Sequence, residues 1–280
     1  MANYTTADIK ALREQTGAGM MDVKKALDEA GGDAAKAIEI IRVKGLKGLA
    51  KREGRSTSDG LVAAKVVDTE TGQCGAMIEL NSETDFVAKA EKFVALAGQA
   101  LQAAIDLGTD NLEAVLAAPV EGGGSVQAAI DYLAATVGER LQLRRVAQVS
   151  GEAVALYLHK TNPDLPPQVG VLLATDKPGV EVAHDAAMHI AAFSPTYLSR
   201  DQIPAEVVAS ERRIAEETAK AEGKPEKAMP KIIEGRMNGF FKENVLVDQA
   251  FAKDAKQTVG KVFAAVQGQP TGFARFRVGA

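Results

Sequence analysis

The 280-residue chain is 46% hydrophobic and 25% charged, with a formal net charge of -4. That balance supplies sizeable cores, favours more than one domain and gives no sign of a broad electrostatic grip on nucleic acid. Its one cysteine, Cys74, cannot close an internal disulfide, no apolar run approaches the ~20 residues that span a bilayer, and Met1-Ala2-Asn3-Tyr4 has no leader pattern. The expectation is a reduced, cytoplasmic protein.

Residues 5–54 read as three short helices. Ile9 and Leu12 mark the first, which Thr16-Gly17-Ala18-Gly19 breaks. Met20, Val23, Leu27 and Ala30 mark the second, and Asp33 caps a third with Ala37, Ile38 and Ile41 on its apolar face. So small a core leaves little room for an internal active site. Met20 and Met21 read either as core or as an adaptable contact surface. Adjacent helical positions point about 100° apart, so a bundle this size does not readily bury both. Lys44, Lys47, Lys51, Arg52 and Arg55, interspersed with Gly45, Gly48 and Gly54, read as a linker with a basic flank.

Leu61 to Val67 and Ala76 to Leu80 then make two strand patterns, followed by a corner, Asn81-Ser82-Glu83-Thr84-Asp85-Phe86-Val87, where the period changes from strand to helix. Val87, Ala90, Phe93, Val94 and Ala97 recur at helical spacing. At the corner Thr84 is placed to cap the helix through its hydroxyl, and Asp85 lies in the first turn, where the helix dipole favours negative charge. Phe86 has two readings: it packs inward, as most aromatics at helix starts do, or it forms with Asp85 a protruding tip of one wedge and one charge.

Pro119 and Gly122-Gly123-Gly124 mark residues 108–125 as a loop. A helix from Val126 to Val137 ends at Gly138, and Leu141 to Val149 supply a third strand. Strand, strand, helix then recurs through Ala153 to His159, Val169 to Ala174 and Val182 to Phe193, which indicates an internal duplication. Glu206 to Glu222 and Ala228 to Phe241, joined at Gly223-Lys224-Pro225, read as an antiparallel helical hairpin, either a solvated spacer or an arm for partners or self-association. A short helix at Val259 to Val266 and a strand at Gly272 to Val278 finish the chain. The expected fold is α+β, with a three-helix module at 1–54, core halves at 55–149 and at 150–202 with 242–280, and the hairpin inserted at 203–241.

Groups for covalent chemistry are sparse. Cys74 and His159 would need the fold to bring them together, His184 and His189 are five apart rather than the three or four that suit a helical metal site, and no phosphate loop occurs. No catalytic residue, metal ligand or cofactor is expected. A ubiquitin-associated type of binding scaffold would account for the first module and nothing after residue 55.

Leu12-Arg13-Glu14-Gln15-Thr16-Gly17-Ala18-Gly19-Met20-Met21-Asp22-Val23-Lys24-Lys25-Ala26-Leu27 and Thr84-Asp85-Phe86-Val87-Ala88 resemble the two signatures of the translation elongation factor Ts family. The resemblance continues through Gly138-Glu139, Arg144-Arg145-Val146, Ala187-Met188-His189, Glu234 to Met237, Thr258-Val259-Gly260 and Thr271-Gly272-Phe273, and so spans nearly the whole chain. Ser82 departs from the Cys of many members, and the proline-rich turn at 163–167 is an elaboration. The resemblance implies a guanine-nucleotide exchange factor for elongation factor Tu, without covalent chemistry and without direct contact to nucleic acid or membrane. It implies that the Thr84, Asp85, Phe86, Val87 tip enters the GTPase beside its magnesium site. Matching positions point to Arg13, Met20 and Met21 on a UBA-like first module, to Val137 and Gly138, and to His159 as further contacts. The hairpin is similar to the family's coiled-coil arm, which implies self-association in some members.

Overall fold

The computed structural model describes residues 3–280, apart from the side chains of residues 49 and 50; Met1 and Ala2 of the amino-terminal reading lie outside them. The first helices are α1 (Thr6–Thr16), α2 (Met20–Glu29) and α3 (Ala34–Arg52). Thr5 and Asp8 form a capping box at the start of α1, and Gly17, at φ 78°, ends it by returning its N–H to the Arg13 carbonyl. The Asp33 carboxylate accepts the Lys36 N–H at 3.1 Å and starts α3. Leu12, Ala18, Val23, Ala26, Leu27, Ala37 and Ile41 close a small core between the three helices.

Two antiparallel three-stranded sheets follow. The first, in spatial order β1-β2-β3, is built from β1 (Asp59–Thr69), β2 (Gly72–Ser82) and β3 (Gln142–Gly151). Between β2 and β3 lie α4 (Asp85–Ala88), α5 (Glu91–Leu107), α6 (Leu112–Ala117) and α7 (Val126–Val137). The second sheet begins with β4 (Ala153–His159) and β5 (Val169–Thr175), after which come α8 (Val180–Phe193), α9 (Ala205–Ala221) and α10 (Met229–Asn244). A short ribbon of β6 (Ala250–Phe251) and β7 (Asp254–Thr258), then α11 (Val259–Ala265), leads to β8 (Pro270–Arg277), and the order is β4-β5-β8.

Strand alternation explains how the sheets are used. Val62, Met77, Val154, Leu172 and Phe276 form one core between the two sheets. Their chain neighbours point the other way: Leu61 and Ile78 meet Phe93, Ile130 and Leu133 of α5 and α7, while Val171 and Leu173 meet Ile190 and Phe263 of α8 and α11. Every residue of β5 is buried, as a strand covered on both faces requires. The sheets approach closely enough that a β-carbon on Gly170 would stand 2.5 Å from the Val62 side chain.

The structure corrects several local expectations. The basic stretch from Lys44 to Arg52 is the second half of α3, not a linker. Its Gly45 serves close packing: a β-carbon there would lie 1.8 Å from the Ala135 carbonyl oxygen of α7. Residues 108–125 include α6, whose Asn111 side chain accepts the Ala114 N–H at 2.9 Å. The helix expected from the corner onward is broken at Ala90, which is extended at ψ 135° and separates α4 from α5. The break turns Phe93 inward and leaves Val94 outside the core. α9 and α10 form the hairpin, turning at Gly223 with φ 67°. Ala215, Ala219 and Met237 are buried along it, and the Glu222 carboxylate pairs with Arg236 at 2.8 Å.

Candidate functional site

The corner after β2 carries an aromatic that its own fold does not cover. Phe86 is 73% exposed, whereas the next residues, Val87 and Ala88, are buried in the core of the first sheet. The single turn of α4 is therefore pinned from below while its first ring points to solvent. Lys89 Nζ stands 4.8 Å from the ring centroid, the one cation over it among the described residues. Asp85 is half-buried beside Phe86. Its charge, after burial, is the second cause that raises the pKa of Asp59 at the start of β1.

Thr84 does not cap α4 with its hydroxyl, contrary to the sequence reading. That hydroxyl donates to Glu139 Oε1 at 2.6 Å, and the backbone N–H groups of Glu83 and Thr84 both donate to Glu139 Oε2 at 3.1 Å. A carboxylate held by three donors outcompetes a weak helix cap, because its bonds are charge-assisted. In return, Glu83 Oε1 accepts the Arg140 backbone N–H at 2.6 Å and pairs with Arg55 at 3.2 Å. Arg140 Nη1 donates to the Arg55 carbonyl at 2.6 Å, closing the ring of contacts. Ser82 Oγ donates to the Thr84 carbonyl at 2.9 Å.

The other residues singled out from the sequence fall into two groups. Met20 and Met21 are 58% and 60% exposed at the start of α2, and Arg13 is exposed on α1. The turn between them meets α7: a β-carbon on Gly17 would lie 3.3 Å from the Val137 side chain. Gly138, at φ 82°, caps α7 and leads directly into Glu139. Arg52 Nη1 donates to the Ala134 carbonyl at 3.4 Å, and the Lys92 ammonium donates to the Gln15 carbonyl, so α7 and α5 both tie the first module down. The end of α7 thus joins the module to the tip. His159 lies apart from this group, exposed at the end of β4, with Nδ1 3.1 Å from the Tyr157 hydroxyl. Its carbonyl accepts the Gln168 N–H at 3.0 Å, and the neighbouring Pro167 carbonyl accepts the Val62 N–H of β1 at 2.8 Å.

The structure does not bring Cys74 to His159. The thiol lies against the Gly75 carbonyl and the Gln148 side chain, in weak contacts of 3.8–3.9 Å. His189 is fully buried; its Nδ1 accepts the Ala252 N–H at 3.1 Å, so Nε2 carries the proton and donates to Gln249 Oε1 at 2.8 Å. Among the described residues no group of three or more His, Cys, Asp or Glu is arranged to hold a metal ion, and no helix is long and apolar enough to cross a membrane.

A family profile described as Elongation factor TS matches residues 83–280. A relative from Beutenbergia cavernae named Elongation factor Ts is 64% identical over 282 residues, covering 100% of both chains. The chain belongs to the elongation factor Ts family. Elongation factor Ts proteins from Micrococcus luteus and Streptomyces coelicolor are 63% and 54% identical, again over 100% of both chains. Around the corner stand residues that sequence reading did not single out as site residues: Glu83, Glu139, Arg140, Arg55 and Lys89. Glu139 stands inside a recognised motif, but its contact with Thr84 spans 55 positions and leaves no local periodicity to read.

Proposed function

We propose that the chain is a guanine-nucleotide exchange factor for elongation factor Tu, binding its GDP form and promoting release of the nucleotide. Family membership supports this role, and the exposed Phe86 beside Asp85 carries the mechanism. Phe86 enters an apolar pocket of the GTPase, and Asp85 and its backbone disturb the groups around the magnesium ion, which loosens the phosphates. The coupling is reciprocal: factor and GDP each weaken the other's hold on the GTPase.

Burial of one Phe ring supplies about 1.5 to 3 kcal/mol. A thousandfold acceleration requires about 4 kcal/mol. Other contacts therefore share the task, and Arg13, Met20 and Met21 with Val137 and Gly138 form the second, with His159 a third on the other half of the core. In this reading the first three helices are a UBA-like docking module, the α9–α10 hairpin is a coiled-coil arm available for self-association, the two sheets are the duplicated halves of a core, and the factor works in the cytoplasm without covalent chemistry.

Release of labelled GDP from purified elongation factor Tu tests the proposal. Phe86→Ala and Asp85→Ala proteins are expected to bind the GTPase yet release GDP more slowly. Unchanged rates reject the tip, and no stimulation by the wild-type chain rejects the exchange role. A Cys74→Ser protein is expected to keep full activity.

A further inference from the structure

Phe86 can act as a wedge only if its direction is set before it meets the partner, because a ring 73% exposed to solvent has little packing of its own to hold it. Val87 and Ala88 anchor the turn on the side after the ring, and one carboxylate holds the backbone on the side before it. Glu139 accepts two consecutive backbone N–H groups and a hydroxyl, from Glu83 and Thr84, and so fixes the residue that immediately precedes Asp85. Three of the polar groups of Thr84 are occupied: its N–H and hydroxyl by Glu139, its carbonyl by Ser82 Oγ at 2.9 Å and by the Ala88 N–H at 3.2 Å. We infer that Glu139 is a positioning residue for exchange, aiming the Asp85-Phe86 tip through Thr84 and tying that aim to the end of α7, against which the first module is docked.

Two features support a built device over an incidental contact. The exchange is mutual, since Glu83 holds the Arg140 N–H while Glu139 holds the Glu83 N–H, so two adjacent segments each supply a carboxylate to the other's backbone. Arg55 joins the two segments, its guanidinium paired with Glu83 and its carbonyl receiving the Arg140 side chain. Gly138 ends α7 in the left-handed region, at φ 82°, and that reversal is what turns Glu139 toward the corner. Tip and module are therefore held relative to one another across one helix end.

This inference rests on the exchange role, and its test separates the two. GDP release from elongation factor Tu is measured against factor concentration for wild type, Glu139→Ala, Glu139→Gln and Phe86→Ala, giving a plateau rate and a half-saturating concentration for each. Glu139→Ala is expected to lower the plateau about tenfold with an unchanged half-saturating concentration, since misplacement by ~1 Å is enough to lose up to a hundredfold in a positioned reaction. Glu139→Gln is expected to restore most of the plateau: its amide oxygen still accepts both N–H groups, and its amide N–H can donate to the Thr84 hydroxyl.

An unchanged plateau for Glu139→Ala, or a rise in half-saturating concentration alone, overturns the positioning role. An unchanged plateau for Phe86→Ala overturns the tip itself and the positioning role with it. A slowed Phe86→Ala beside an unaffected Glu139→Ala overturns the positioning alone. If Glu139→Ala does not fold, Thr84→Val, which removes only the hydroxyl contact, is read by the same criteria and is expected to lower the plateau by a smaller factor.

Discussion

Gly45 of α3 lies against the carbonyl of Ala135 in α7 so closely that a β-carbon would stand 1.8 Å from the oxygen. Two opposing effects follow for Gly45→Ala. Alanine improves helix propensity by about 1 kcal/mol, but the atom it meets is backbone and cannot rotate away. Overpacking costs about 1–3 kcal/mol, and with a rigid neighbour the upper end applies. The expected outcome is a net destabilisation of about 2 kcal/mol by urea unfolding, together with slower GDP exchange. A stabilised Gly45→Ala protein would contradict the docking of α3 on α7.

Phe86 and Phe93 sit seven residues apart and play opposite parts: one is 73% exposed, the other fully buried under the first sheet. Phe86→Ala is expected to change stability by no more than about 0.5 kcal/mol. Phe93→Ala is expected to cost about 3–5 kcal/mol through lost burial and the cavity left behind. Melting curves beside exchange assays distinguish the two, since only Phe86→Ala slows exchange without altering the melt.

His189 is held in the neutral form by two hydrogen bonds that fix its tautomer, and burial lowers its pKa below the ordinary 6.5, against a smaller raising effect of Gln249. The unfolded chain takes up this proton first as pH falls, so protonation favours unfolding. The contribution of His189 is complete above about pH 6.5 and is lost progressively as pH drops toward the lower folded value. Denaturation midpoints between pH 7.5 and 5.5 are expected to fall toward acid, and His189→Asn should flatten that trend. A midpoint that rises as pH falls through 6.5 would refute it.

Glu79 is fully buried, and its carboxylate accepts from Arg145 Nε at 2.6 Å, Asn81 Nδ2 at 3.0 Å and the Gly279 N–H at 3.1 Å. Arg145 also donates to the Arg277 carbonyl at 2.9 Å and covers the Phe276 ring at 4.6 Å. The pair fastens β8 and the chain end to β2 and β3. Removing Arg145 leaves a buried charge short of its cation, and Arg145→Ala is expected to cost about 3–5 kcal/mol. Glu79→Gln keeps an acceptor at the site and is expected to cost less. Equal losses for the two in urea unfolding would show that a stranded Glu79 charge is not what makes Arg145→Ala costly.

Local patterns carried much of the fold. Apolar spacing marked α1, α2, α8 and the hairpin, and alternation marked the strands of both sheets. Two long motifs marked the family. These features are legible because each depends on residues within a few turns or one strand of each other. Gly45 misled for a physical reason: a glycine that permits close helix packing reads in one dimension like a glycine that breaks a helix. Thr84 misled likewise, because a helix-start threonine has a local partner available and here uses a distant one instead.

Only the tertiary structure decided whether Phe86 faced inward or outward. The same residues permit both, and the choice turns on a break at Ala90, on Val87 and Ala88 entering the core, and on a carboxylate 55 positions away gripping Thr84. Long-range hydrogen bonds leave no period in a sequence, so the aim of the tip was invisible until the chain was folded. Which residues stand at the corner was written in the sequence; where they point was set by what packs beneath them.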